Sequence, residues 1–232
     1  MIRNERVEEI MDGLQIPGEF GINVDDDNDD AIGDLACEVA RRGGSFFHGV
    51  TKCVLVFPEE DEVIKIPFSG QYVYSYDGEN EIETFEDFHY ANSDIKKGSE
   101  WDYCENELIK YKKAVKAGFA DFLAATRFYG VKNGYPIYIQ EKCEEYYCSE
   151  YHNSPISDET RTSYKKIYDR CYSIHSEWVM YAISYYGAER VVAFMDWMRE
   201  NGLSGDLHTG NIGFTVTGRP ILLDFAGYRD WA

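Results

Sequence analysis

Apolar residues recur at helical spacing in several stretches of the chain. In DDAIGDLACEVARR, Leu35 and Val39 share one face, and the acidic start and basic end suit the helix dipole. The glycine pair at 43–44 then ends this helix. The same spacing predicts helices over 1–14, 100–118 and 157–186, and another that begins at Ala188 and is closed by Gly202.

Short apolar runs separated by turn residues predict β-hairpins. CVLVF and EVIKIPF flank the turn PEED, and FLAATRFYG and YPIYIQEKC flank KNG. A third pair of strands is predicted at 212–216 and 220–223. Residues 69–100 show no clear period, and we interpret them as an insertion with one short helix. CEEYYCSEYHNSP, which follows the second hairpin, is interpreted as a linker.

The order of these elements predicts an α+β protein with two lobes. The β-hairpins come first and the helices follow, which favours a β-rich lobe and a helical lobe with a cleft between them. We expect a helical extension over 1–42, the β-rich lobe over 43–143 with its insertion at 69–100, and the helical lobe over 144–232.

The charge balance restricts the partners that we expect. The 232 residues carry a net charge of −19, which repels nucleic-acid phosphates and anionic lipids. No apolar run approaches a membrane span, the first residues lack the apolar core of a signal peptide, and the six cysteines are scattered. These features predict a cytoplasmic protein with reduced thiols that binds neither nucleic acid nor membranes.

Two groups of potential metal ligands fail simple tests. The acidic run DDDNDD would need Gly and Glu at the sixth and twelfth positions of a calcium loop, where Asp30 and Ala36 stand. The spacing of Cys143, Cys148 and His152 fits no standard zinc site.

A different set of polar residues lies near the end of the chain, in SGDLHTGNIGFTVTGRPILLDFAGY. Asp206 precedes Asn211 by five residues, and Asp224 follows Asn211 by thirteen. Asp206 has the chemistry to orient a hydroxyl and accept its proton, and Asn211 and Asp224 offer the oxygens that Mg²⁺ prefers. Each residue alone is typical of a turn, but the three together favour phosphoryl transfer.

The motifs around these residues resemble those of protein-kinase-like phosphotransferases. GDLHTGN resembles the catalytic loop H-R-D-L-x-x-x-N, and LLDFAG resembles the metal-binding D-F-G with Ala226 in place of the glycine. The motif D-L-H-x-G-N more closely resembles the corresponding motif of aminoglycoside-phosphotransferase-like enzymes and of small phage-encoded serine/threonine kinases. With the upstream motifs, the resemblance covers residues 43–228 and implies a two-lobed kinase-like fold with a truncated helical lobe.

A lysine and a glutamate upstream continue the resemblance. VIKI resembles the V-A-I-K strand, which implies that Lys65 holds the α- and β-phosphates of ATP. The other interpretation of Lys65 is a lysine that protects an edge strand. The helix at 100–118 would carry the glutamate that pairs with Lys65, which is Glu107 or, as the alternative, Glu105.

Nucleotide-binding residues are also implied by the resemblance. GGSFFHGV resembles a glycine-rich loop, two valines match the apolar residues that enclose adenine, and IYIQEKC resembles the segment that joins the lobes, with Gln140 as its gatekeeper. The implied nucleotide contacts are Gly44, Ser45, Val50, Val63, Lys65, Glu107, Glu141 and Cys143.

The chain departs from the family pattern at several places. Its glycine-rich loop has Gly44 and Gly49 but no clean G-x-G-x-x-G. Ser204 replaces the usual histidine of the catalytic loop, and Gly213 replaces a large apolar residue expected beneath adenine. Only eight residues follow Asp224, so no A-P-E segment is present. We therefore expect other elements to recognise the substrate.

The resemblance implies an ATP- and Mg²⁺-dependent enzyme, and three functions remain open. The first is a minimal serine/threonine kinase that phosphorylates a partner protein. The second is a small-molecule kinase of the aminoglycoside type, which the D-L-H-x-G-N wording favours. The third is a pseudokinase that only binds, which the altered glycine loop and Ser204 favour.

Overall fold

The computed structural model describes residues 5–16, 30–48, 52–67, 71–77, 80–86, 97–98, 102–171, 174–203 and 207–225. Its α-helices are α1 (Glu5–Gly13), α2 (Asp30–Arg41), α3 (Tyr103–Ala117), α4 (Asp158–Ile167), α5 (Ser176–Tyr186) and α6 (Ala188–Glu200). Its strands are β1 (Ser45–His48), β2 (Lys52–Val56), β3 (Glu62–Pro67), β4 (Gln71–Asp77), β5 (Asn80–Glu86), β6 (Thr126–Lys132), β7 (Tyr135–Glu141), β8 (Cys143–Glu145), β9 (Ile212–Thr215) and β10 (Pro220–Leu222). The fold class is α+β, as the sequence predicts.

The chain divides into two compact units, with Met1–Asn106 and Thr126–Gln140 in the first and Glu107–Ala125 and Glu141–Ala232 in the second. The boundaries therefore differ from the expected ones, because the stretch Glu107–Ala125 groups with the later part of the chain. No helix in the described ranges has the length and apolar character needed to cross a membrane.

A five-stranded sheet in the order β1-β2-β3-β7-β6 forms the centre of the first unit. The predicted hairpins β2–β3 and β6–β7 are both confirmed as antiparallel pairs. Ile64, Ile66 and Ile137 point from one face of the sheet into a core that also contains Val7 of α1 and Val39 of α2. The N-terminal helices are thus part of this core rather than an appended extension.

The insertion contains a hairpin that was not predicted from the sequence. β4 and β5 pair antiparallel, with Tyr72 opposite Phe85 and Asp77 opposite Asn80. It was missed because the alternation of QYVYSYD, with an aromatic residue at every second position, is a strand signal that the polar composition obscures. The short helix predicted in the insertion is not tested, since residues 87–96 lie outside the described residues.

The second unit contains α4, α5 and α6, which pack against one another, and α5 also packs against β10 of the β8–β9–β10 sheet. Its core includes Phe122, Trp178, Phe194 and Phe214. The single long helix predicted over 157–186 is wrong, since α4 ends at Ile167 and α5 begins at Ser176. The stripe of core-facing residues continues across this break, with Cys171 1% exposed, so periodicity could not locate it. The break lets α4 fold back and pack against α5.

Candidate functional site

The two predicted magnesium ligands are brought together at one end of the β9–β10 hairpin. Ile212 pairs with Leu222 in this hairpin, and one step further the Leu223 N–H donates to the Asn211 carbonyl oxygen at 2.9 Å. Asp224 follows directly. Asn211 is only 7% exposed. The hairpin register therefore brings the backbone of Asn211 opposite Leu223, one residue before Asp224, although Asn211 and Asp224 are thirteen residues apart in sequence.

The turn before Asn211 is shaped by the histidine and glycine of the D-L-H-x-G-N motif. The Gly210 N–H donates to Nδ1 of His208 at 3.0 Å, and the Asn211 N–H donates to the His208 carbonyl at 2.9 Å. A Cβ at Gly210 would lie 2.9 Å from Cε1 of the His208 ring. His208, to which the sequence assigns no role, thus caps the 3₁₀ turn that positions Asn211, with its ring proton on Nε2.

The structure explains why glycine stands at position 213, where the family pattern has a large apolar residue beneath adenine. A Cβ there would lie 1.9 Å from the Glu144 carbonyl oxygen of β8, which pairs with β9. The Gly213 carbonyl also accepts a hydrogen bond from the Trp178 indole at 3.0 Å. The close approach of the two strands therefore requires glycine, and no apolar side chain can project from this position.

Several sequence-predicted residues lie outside the part of the chain that the structure describes. These are the proposed catalytic base Asp206, its neighbour Ser204 and the adenine-contacting Val50.

Lys65 lies in the central strand of the five-stranded sheet and is 4% exposed. It pairs with Val54 across β2 and β3. This position excludes the interpretation of Lys65 as an edge-strand lysine. Val63 is also buried and, two residues away, shares the sheet face of Lys65, opposite the face that packs on α1 and α2.

A cluster that the sequence did not predict holds the start of α3 against this same sheet face. Tyr138 of β7 alternates with core-facing Ile137 and Ile139, and its hydroxyl contacts Asp102 at 2.5 Å and Glu105 at 2.9 Å. Asp102 has no exposed surface and also accepts from the Glu105 N–H at 3.0 Å, which caps α3. The D-Y-C-E sequence at 102–105 is a capping-box pattern that could have revealed Asp102.

The same cluster contains Glu105, the alternative partner of Lys65. The Glu105 carboxylate accepts from Lys97 at 3.0 Å through one oxygen, and its other oxygen contacts the Tyr138 hydroxyl at 2.9 Å, whose one proton also lies within reach of Asp102. Both Glu105 oxygens therefore contact residues of the first unit. Glu107, by contrast, has no exposed surface and belongs to the second unit.

Gly44 and Ser45 do not lie in a loop between two strands, as the glycine-rich-loop comparison implies. Gly43 has φ +80° and the Gly44 N–H donates to the Val39 carbonyl at 2.9 Å, so the glycine pair forms a Schellman cap on α2. A Cβ on Gly44 would lie 2.7 Å from the Phe57 ring. Ser45 then begins β1. The need to end α2 and pack on the core explains these glycines.

The predicted inter-lobe segment is tied to an arginine that the sequence did not single out. The Arg219 guanidinium donates to the Glu141 carboxylate at 2.5 Å and also to the Asp121 carbonyl. The Glu141 N–H donates to the Ala125 carbonyl at 2.8 Å, and the Cys143 thiol contacts the Glu141 carbonyl at 3.4 Å. The resemblance offers backbone groups of Glu141 and Cys143 to adenine, and at Glu141 both the N–H and the carbonyl already have partners within the chain.

Metal binding at this site would depend on few protein oxygens. Within the described ranges, no group of three or more His, Cys, Asp or Glu side chains is arranged to hold a metal ion. Asn211 and Asp224 offer two oxygen ligands, a set that suits Mg²⁺ in a nucleotide complex, because Mg²⁺ takes one or two protein oxygens and completes its shell with phosphates and water.

Comparison with protein-family models, with curated proteins and with solved structures gives no significant match to this chain.

Proposed function

We propose that the protein is an ATP-dependent phosphotransferase, specifically a minimal protein kinase that transfers the γ-phosphate of ATP to a serine or threonine hydroxyl of a partner protein. The observation that carries the proposal is the arrangement at the β9–β10 hairpin. The 2.9 Å hydrogen bond between the Asn211 carbonyl and the Leu223 N–H supports the proposal, because it keeps the backbone of Asn211 near the residue that precedes Asp224.

The chain's own residues would act by positioning and by charge. Asn211 and Asp224 would hold Mg²⁺, which neutralises charge on the β- and γ-phosphates when bound. Lys65 would donate to the α- and β-phosphates, and Glu107 would orient its ammonium group. Asp206 would orient the acceptor hydroxyl and accept its proton as the oxygen attacks the γ-phosphorus and the bond to the β-phosphate oxygen breaks.

The burial of Lys65 supports this role. A lysine in a central strand and 4% exposed is far from the ordinary solvated lysine, because side chains of this type are almost never fully buried without partners. The resemblance pairs Lys65 with Glu107, and Glu105 is the alternative.

The proposal is tested by incubating the protein with radiolabelled ATP and Mg²⁺, separately with a cell lysate and with an aminoglycoside panel. Label in protein bands supports the proposed kinase. Label in the aminoglycosides would replace it with the small-molecule kinase. If neither mixture shows label above the enzyme-free level, the protein is not a kinase for these substrates, and the pseudokinase that only binds is the remaining function.

Matched variants separate loss of chemistry from loss of fold. Lys65→Met and Asp224→Asn should each lower the rate by about 10²-fold or more, because each removes charge aimed at the transferring phosphates. Lys52→Met is the control for Lys65, since Lys52 is also buried, at 8% exposed, in the adjacent strand. Equal loss in Lys65→Met and Lys52→Met would contradict the role of Lys65.

A further inference from the structure

One face of α3 is exposed and carries an unusual combination of residues. Ile109 and Val115 are 43% and 52% exposed, whereas their chain neighbours Leu108 and Ala114 are buried. Lysines occupy the positions between them at helical spacing. We define the α3 outer face as Ile109, Lys112, Lys113, Val115 and Lys116, all of which are exposed.

The charge of this face opposes that of the whole chain. The protein has 42 acidic and 23 basic residues, yet the stretch LIKYKKAVKAG at 108–118 contains four lysines and no acid. Lys110 donates to the Gly202 carbonyl at 3.0 Å, and the other three lysines lie on the α3 outer face. Lysines near a helix C-terminus are favoured by the helix dipole, but the dipole gives no reason for the exposed Ile109 and Val115.

We propose that the α3 outer face binds an acidic segment of a partner protein, with apolar side chains of that segment covering Ile109 and Val115. This binding is independent of phosphoryl transfer and does not require nucleotide. The face from 109 to 116 is about 12 Å long, which matches about two turns of a partner helix. Such a small contact gives a weak and reversible complex.

The overall charge of −19 favours a peptide over other anionic partners. A membrane or a long nucleic acid presents an extended negative surface, which the net negative charge of the chain repels. A short acidic segment contacts only the lysines of α3, and charges more than about 10 Å away are screened at 0.1 M salt.

The test is selection from a random library of peptides of about 12 residues with the full-length protein, without ATP. Selected peptides should be enriched in Asp and Glu together with Leu, Ile, Val or Phe. The variant Lys112→Glu/Lys113→Glu/Lys116→Glu should bind the best peptide about tenfold more weakly, since three partly exposed ion pairs each contribute a factor of about two. Lys165→Glu/Lys166→Glu, in the exposed last turn of α4, is the control and should bind as wild type does.

Further measurements separate this surface from the alternatives. Ile109→Ser should weaken binding of the same peptide. Val216→Ser is the control and should not, because Val216 is 55% exposed but lies outside the α3 outer face. Binding should fall between about 50 mM and about 500 mM salt. The Lys65→Met variant should bind the peptide as wild type does. Failure of the kinase assay would therefore not affect the test of peptide binding. Three results would overturn the proposal. The selected peptides could lack acidic enrichment, both lysine variants could lose peptide binding equally, or the lysines could bind phosphatidylserine vesicles in place of the peptide.

Discussion

Removing the carboxylate of Asp102 should loosen the first turns of α3 by a measurable amount. Asp102 is fully buried, accepts from the Glu105 N–H at 3.0 Å and the Gly98 N–H at 3.0 Å, and contacts the Tyr138 hydroxyl at 2.5 Å. In Asp102→Ala all three contacts are lost. In Asp102→Asn the cap to Glu105 is kept, but an NH₂ group faces the Gly98 N–H.

The expected loss in the free energy of unfolding of α3 follows from these contacts. Loss of an N-cap costs about 1 kcal/mol, and loss of a buried hydrogen bond to a charged group costs about 1.5–3 kcal/mol. Two effects reduce the sum, because the Tyr138 hydroxyl can still donate to Glu105 and the exposed Gly98 N–H can be hydrated. We therefore expect about 2 kcal/mol for Asp102→Ala and about 1 kcal/mol for Asp102→Asn.

The effect should also depend on pH. Burial raises the pKa of Asp102 above its ordinary value of 3.8, although its hydrogen bonds to Tyr138, Gly98 and Glu105 oppose the shift. A raised pKa in the folded state means that this group contributes stability below its unfolded pKa and loses it as the pH rises through the folded pKa. The difference between wild type and Asp102→Ala should therefore be larger at about pH 4.5 than at about pH 8.

Amide hydrogen exchange of the α3 peptide measures this directly. A loss of about 2 kcal/mol corresponds to about 30-fold faster exchange in the first turns of α3. Ser157→Ala is the control, because Ser157 caps α4 through the Thr160 N–H at 3.1 Å and should speed exchange in α4 only. Exchange in α3 that stays within about twofold of wild type in Asp102→Ala would refute the assignment of Asp102 as the anchor of α3.

Two further predictions concern packing and thiol chemistry. Gly213→Ala should lower the free energy of unfolding by about 3 kcal/mol or more in thermal melts, because its Cβ would lie 1.9 Å from the Glu144 carbonyl. Gly130→Ala, where a Cβ meets nothing within 4 Å, should change stability by less than about 1 kcal/mol, and equal losses would contradict the close approach of β8 and β9. Burial raises the pKa of Cys171 to about 11, so iodoacetamide at about pH 8 should modify exposed Cys148 and spare Cys171. Modification of both at equal rates in the folded protein would contradict the burial of Cys171.

Local patterns predicted those elements whose signal is contained in a short stretch. The β2–β3 and β6–β7 hairpins and helices α2, α3 and α6 follow from periodicity and turn residues, and the structure confirms them. The break between α4 and α5 could not be predicted, since it depends on α4 packing back onto α5 while the apolar stripe continues through Cys171. β8 was missed for a similar reason, because a three-residue strand exists only through its pairing with β9.

The candidate site shows the same division. The spacing in the sequence singled out Asn211 and Asp224 as candidates. These residues flank the β9–β10 hairpin, and the sequence also predicts the pairing of β9 with β10. The contacts of Tyr138 with Asp102 and of Arg219 with Glu141 join residues far apart in the chain, and only the folded structure brings them together. The glycines at 43–44 were predicted both to end α2 and to begin a glycine-rich loop. The helix end is confirmed, and the loop resemblance arose because a helix cap and a phosphate loop use the same residue type.

The most direct test of the central claim uses an acyl-phosphate derivative of ATP. A lysine amine that lies beside the bound phosphates attacks its acyl carbon and releases ATP, which leaves an acylated lysine that mass spectrometry locates. We predict Mg²⁺-dependent acylation of Lys65 that excess ATP prevents and that Asp224→Asn lowers, with Lys52 unmodified. Acylation that is absent from Lys65, or equal at Lys65 and Lys52 and insensitive to ATP, would contradict the claim that Lys65 and Asp224 bind the phosphates of one nucleotide.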